Sequence, residues 1–186
     1  MHKHKHILAA PFAFSPYGYT ANTAYQNILE LHGANHNSAQ YFPSNLLQKY
    51  CQIHQPVEFD ILDNDSPEIG HHLKSLCSLQ TNLANQIESI LPQADSLAIL
   101  GGDHSISVGT GLGLSRCLDL REVGLIWIDA HGDSNTPETS LSKCLTGYPV
   151  AVNAGLGPKD LIKPFQGNFL QNIVQIGLRD SDELEV

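Results

Sequence analysis

Leu125-Ile126-Trp127-Ile128-Asp129-Ala130-His131-Gly132-Asp133 is a short apolar run that turns abruptly into three metal-ligand residue types spaced two apart. The run Leu125 to Ile128 is continuous and apolar, which predicts a central strand of a parallel sheet, buried on both faces. In an extended chain the side chains at i, i+2 and i+4 share a face, so Asp129, His131 and Asp133 are expected to point the same way. At about 3.3 Å rise per residue their stations lie roughly 6.6 Å apart. That is too spread for one small ion and suits two ions about 3.5–4 Å apart, with one carboxylate reaching both.

Upstream, Ser96-Leu97-Ala98-Ile99-Leu100-Gly101-Gly102-Asp103-His104-Ser105 repeats the pattern: a buried-strand run, two glycines, then a histidine at the junction with a helix. The glycines permit a tight turn and close approach of the backbone to an ion. The carboxyl edge of an open α/β sheet is where ligands bind.

Around these two stretches the chain alternates strand and helix. Ile7 to Phe12 reads as a first strand, after a frayed His2-Lys3-His4-Lys5-His6 terminus and before a loop through Ser15-Pro16-Tyr17-Gly18. A helix is expected over 22–32, stopped by Gly33, then a polar loop over 34–40. A short helix capped by Ser44 is expected over 45–54, and a peripheral strand over Val57 to Leu62. A proline-primed start at Asp63 to Pro67 leads into one long amphipathic helix carrying Ile69, Leu73, Leu76, Leu83, Ile87 and Ile90 on one face, with His71 and His72 solvated. Strands over 96–100, 123–129 and 172–178, a helix over 105–118, a long loop and one helical turn at Lys159 to Lys163 complete the pattern. The expected fold class is α/β: a three-layer αβα arrangement on a mainly parallel sheet with right-handed crossovers.

The 186 residues suffice for one domain with a substantial core. Ten basic against nineteen acidic residues give a net charge of −9, which argues against nucleic acid as a partner and toward a small molecule. Cys51, Cys77, Cys117 and Cys144 form no Cys-x-x-Cys pair, so reduced thiols in a cytoplasmic protein are expected. No run approaches the ~18 apolar residues of a membrane helix, so no membrane partner is expected.

Gly101-Gly102-Asp103-His104-Ser105 and Asp129-Ala130-His131-Gly132-Asp133, in this order and each after a strand, resemble two of the three metal-binding signatures of the manganese ureohydrolases: arginase, agmatinase and formimidoylglutamase. Ser134-Asn135-Thr136-Pro137 resembles the arginase branch. The resemblance implies that His104, Asp129 and Asp133 hold one Mn2+ and that His131 with a bridging Asp129 holds a second. Water activated between the ions would attack a guanidino or formimino carbon, releasing urea when the substrate is arginine. It makes Asp133 and His131 the catalytic candidates, Asn135 and Ser142 the substrate-binding ones, and a homo-oligomer the expected assembly. Asp103 is read as orienting an imidazole rather than as a ligand.

The resemblance frays further on. Where arginases carry Ser-Gly-Asn-Leu-His-Gly this chain reads Ser142-Lys143-Cys144-Leu145-Thr146-Gly147, with Cys144 in place of an amino-acid-binding asparagine and Thr146 in place of a proton-shuttling histidine. A threonine cannot titrate near pH 7. Ile173 to Asp180 resembles the family strand ending in Gly-Leu-Arg, but the third signature, Ser-x-Asp-x-Asp, does not occur. Residues 1–186 are therefore expected to be the N-terminal portion of one ureohydrolase domain, either a piece of a longer chain or a natural short form, and inactive alone. The alternative reading is a non-catalytic relative that uses the fold for metal or ligand binding or for regulatory assembly.

Overall fold

The computed structural model describes residues 4–10, 51–54, 57, 58, 60 and 72–185. The readings for 15–18, 22–32, 34–40, Ser44 and the Asp63–Pro67 helix start lie outside the described residues, as do Ile69 and His71.

β1 (His4–Ala10) runs between β2 (Cys51–Ile53) and β3 (Ala94–Gly101), parallel to both. Leu8 and Ala10 are fully buried, as an apolar run on a middle strand requires. The strand starts earlier than expected. His4 and Lys5 pair with Ala94 and Ser96, and His6 is buried against His54, so this end of the histidine run is ordered by its partners.

Two peripheral expectations are corrected. Residues 51–53, expected as the end of a helix, form β2, because pairing with Lys5, His6 and Ile7 overrides local preference. Val57, Glu58 and Asp60, expected in a strand, are irregular. The Val57 amide donates to Ala9 O at 2.8 Å, and Asn82 on the following helix donates to Glu58 O, so the segment is draped over that helix.

α1 (Leu73–Ile90) buries Leu73, Leu76, Leu79, Leu83, Ile87 and Ile90 on one face, against Leu8, Val108, Tyr148, Val152 and Leu161. His72, just ahead of it, lies in the left-handed region (φ 62°) and is not part of this helix. α2 (Ile106–Cys117) packs on α1 through glycines: a Cβ on Gly109 would come within 3.0 Å of Leu83 Cδ2, and one on Gly113 within 2.8 Å of Ile87 Cβ. Gly101 serves clearance in the same way, since a Cβ there would collide with Ile106 on the first turn of α2.

β4 (Leu125–Ile128) pairs in parallel with β5 (Ile173–Ile176), and among the described residues these two form a sheet separate from β2-β1-β3. The α/β class with parallel strands is as expected, but β4 is not buried on both faces: Trp127 is 5% exposed, whereas Ile126 and Ile128 are 65% and 76% exposed. Val174 and Ile176, their partners on β5, share this open face. β3 is likewise only half covered, because β1 is its one described neighbour. The expected long loop after β4 contains α3 (Pro149–Asn153), too short for a periodic pattern to reveal, and α4 (Lys159–Ile162) matches the expected helical turn. Among the described residues no helix is long and apolar enough to cross a membrane, and Cys51, Cys77, Cys117 and Cys144 form no disulfide.

Candidate metal centre

His104 stands in the turn between β3 and α2, and Asp129 follows the last residue of β4, so both occupy strand carboxyl ends. Asp103, beside His104, accepts hydrogen bonds from the amide and hydroxyl of Ser105 and so fixes the turn that enters α2.

The ligand loop does not continue the strand. The chain bends at Ala130 and His131, and Asp133 adopts a left-handed φ of 48°. The expected common face of Asp129, His131 and Asp133 is therefore replaced by a folded loop that returns Asp133 to Asp129. His104 Nδ1 lies 2.9 Å from Asp129 Oδ2 and 2.8 Å from Asp133 Oδ2. One donor atom from each of these three residues falls within 4.8 Å of the others. His131 lies outside this trio, on the far side of Asp129: its amide donates to Asp129 Oδ1 at 2.9 Å and its Nδ1 is 3.3 Å from the same oxygen. Asp129 thus offers one oxygen toward each imidazole.

Electrostatics at the trio favours a cation. Burial lowers the His104 pKa, but the adjoining carboxylates of Asp133 and Asp129 outweigh it and leave it above the ordinary histidine value. Asp129 is held below the usual carboxylate range, chiefly by the His131 amide and further by His104, against an opposing desolvation. Asp133 Oδ2 is buried and receives no aligned hydrogen bond, although His104 Nδ1 is close. A buried carboxylate oxygen needs a positive partner, which the protonated imidazole supplies here and a bound cation could supply in its place. The donor set of imidazole and carboxylate suits a divalent first-row metal, manganese included.

A cleft of about 340 Å³ opens beside Asp133 and His131. Asn135, Ser142, Cys144 and Thr146 line it, and Cys144 Sγ meets Thr146 Oγ1 at 2.9 Å. Asn135 is buried, with its side-chain amide donating to Asp182 Oδ2 and its carbonyl accepting from Thr139. The segment after β5 supplies a wall that the sequence reading missed. Asp180 Oδ2 is 3.6 Å from His131 Nε2, and Glu185 accepts from the Ser134 amide at 2.8 Å. The amides of Arg179 and Asp180 both donate to Ala130 O, which folds this acidic segment over the ligand loop. The available signal was a run of acidic residues just past a strand end, where ligands gather in open sheets.

The Arginase family model matches residues 29–186. The arginase of Bacillus subtilis (strain 168) is 37% identical over 139 residues, 70% of this chain and 44% of that protein. That of Staphylococcus aureus (strain COL) is 45% identical over 89 residues, 47% of this chain and 28% of that protein. Among solved structures, a Bacillus subtilis arginase superposes with a TM-score of 0.77 at 25% identity, covering 99% of this chain and 60% of that one. An Entamoeba histolytica arginase in complex with L-ornithine gives 0.77 at 25% identity, covering 98% and 60%. The chain thus spans less than two thirds of the length of these relatives. With both quoted signatures inside the matched region and the whole described fold superposing, the chain belongs to the arginase family.

Proposed function

We propose that the complete protein is a manganese-dependent hydrolase of a guanidino carbon–nitrogen bond, converting arginine to ornithine and urea. The observation that carries this reading is the convergence of one donor atom each from His104, Asp129 and Asp133 within 4.8 Å of one another. The relatives' names supply the reaction class, and the acidic cleft supplies a fit to a cationic substrate: Asp133, Asp180, Asp182 and Glu185 line it together with Asn135 and Ser142.

His104, Asp129 and Asp133 would hold one Mn2+, and His131 with the outer oxygen of Asp129 would contribute to a second. Bound there, the metal supplies water acidified toward neutral pH. Asp133 would accept a hydrogen bond from that water and aim it, on a backbone held by the Val150 amide, which donates to Asp133 O at 2.7 Å. Asn135 and Ser142 bind the polar end of the substrate. Asn135 must then exchange its bond to Asp182 for one to substrate. The remaining carboxylates of a two-metal site would come from the part of the relatives that this chain does not span.

A second reading, a metal-binding relative without turnover, is favoured by one observation. Thr146 and Cys144 satisfy each other across the cleft wall, so no group that titrates near neutral pH stands at that position. Urea release from arginine by the full-length protein with added Mn2+ separates the two: metal binding without urea selects the second, and neither selects against both.

A further inference from the structure

The indole of Trp127 stacks on the imidazole of His104, with ring centroids 4.2 Å apart and planes 15° from parallel. We propose that Trp127 is a positioning residue of the metal centre, fixing the plane of the His104 ring so that Nδ1 faces Asp129 and Asp133. The inference rests on the metal-site reading above.

His104 sits in a turn and its side chain is 39% exposed, so the turn alone leaves its ring free to rotate. A flat partner removes that freedom. Trp127 can act as one because it is rigid itself: it is buried on β4, while its neighbours Ile126 and Ile128 turn to the open face. Its Nε1 is buried without a hydrogen-bond partner, so no hydrogen bond orients the indole, and a polar handle is not what the position uses. The tryptophan is the single one in the chain.

The strand partner of Trp127 serves the same end. Gln175 on β5 lies in register with it and donates through Nε2 to Gly132 O at 2.6 Å, one residue before Asp133. One rung of the β4–β5 ladder therefore holds both halves of the trio: Trp127 the imidazole by its face, Gln175 the carboxylate loop by its backbone. Ligands held this way meet a metal without losing rotamer freedom on binding.

The test compares Trp127→Phe, which keeps a flat ring, with Trp127→Leu, which keeps apolar bulk and loses the plane. Mn2+ affinity of the full-length protein is measured by calorimetry, and folding by the denaturation midpoint. The expected result is a dissociation constant within about two-fold of wild type for Trp127→Phe and weakened about three- to ten-fold for Trp127→Leu. A merely structural role would weaken both in step with their loss of stability. Equal affinity of Trp127→Leu and wild type overturns the proposal. Should Trp127→Leu fail to fold, indole emission decides: Mn2+ must quench a component in wild type that Trp127→Phe lacks, and no such component overturns it. Absence of Mn2+ binding in wild type overturns the site reading itself, which keeps the two failures apart.

Discussion

Asp129 is the residue on which the two halves of the site turn, because its two oxygens face different imidazoles, His104 and His131. Asp129→Ala should therefore strip the full-length protein of its manganese, taking it from about two ions per chain to none, since a bridging carboxylate serves both. Elemental analysis with unchanged content would remove Asp129 from the bridge. Thr146 makes the opposite kind of claim. Its hydroxyl is 2.9 Å from Cys144 Sγ and cannot deliver a proton near pH 7, so Thr146→His should raise turnover about ten-fold or more, most clearly near neutrality. An unchanged pH–rate profile would mean that another group protonates the leaving amine. That His104 and Asp129 stand at strand carboxyl ends was legible in the chain, because each follows an apolar run that gives way to ligand-type residues. How they meet was not. The left-handed turn at Asp133 has only a weak sequence signal, because aspartate tolerates positive φ but adopts it in few places, and its conformation is supported by Val150 and Gln175 from other segments. Asp182 and Glu185 escaped for the same reason, since only the folded tail brings them to Asn135 and Ser134.

The contact between α1 and α2 was half visible. The face of α1 could be read from spacing of three and four, but nothing in α2 told Gly109 and Gly113 from glycines that merely weaken a helix. Their use is close approach. In Gly113→Ala the gain in helix propensity, about 1 kcal/mol, meets the cost of pressing a Cβ to 2.8 Å from Ile87 Cβ. Overpacking of this kind costs about 1–3 kcal/mol, so the variant should be destabilised, with a thermal midpoint about 2–4 °C lower per kcal/mol lost. A raised midpoint would show that α1 and α2 are not in tight contact there. At the other end of the β1–β2 pair, His6 Nδ1 and His54 Nε2 meet at 2.8 Å with the rings stacked. Burial, and then repulsion from His6, holds the His54 pKa below its ordinary value. The unfolded chain therefore binds the proton more readily than the folded one. The stability tied to His54 is complete above about pH 6.5 and is lost as pH falls through that value toward the lower folded pKa. Urea midpoints recorded from about pH 7.5 to 5 should decline, and His54→Gln should flatten part of the decline. A slope unchanged by that substitution would exclude the pair as its source. The sequence reading treated His6 as part of a frayed end and His54 as the end of a helix, because pairing of β1 with β2 and β3 is non-local and leaves no periodic trace.

At the scale of the molecule the consequence follows from the open face of the β4–β5 sheet. Ile126, Ile128, Val174 and Ile176 stand in register and exposed, and among the described residues β4 pairs with β5 alone. Such a surface is apolar and, among the described residues, bordered by unpaired strand edge, a combination that favours association of chains. The trio at the strand ends has a related deficit. Its carboxylates, Asp129 and Asp133, are two where the proposed pair of ions needs more, and in the absence of metal they repel each other across His104. The 186 residues by themselves should therefore bind Mn2+ weakly, release no urea from arginine, and sediment as associated species at micromolar concentration. Ile126→Lys combined with Ile128→Lys should restore the monomer without restoring activity, because it blocks the open face and leaves the ligand count unchanged. Sedimentation velocity and urea formation, read beside the full-length protein at equal concentration, decide the matter. Urea formation by these residues alone at the rate of the whole would mean that His104, Asp129, His131 and Asp133 make a complete site, and the two-ion assignment would fall.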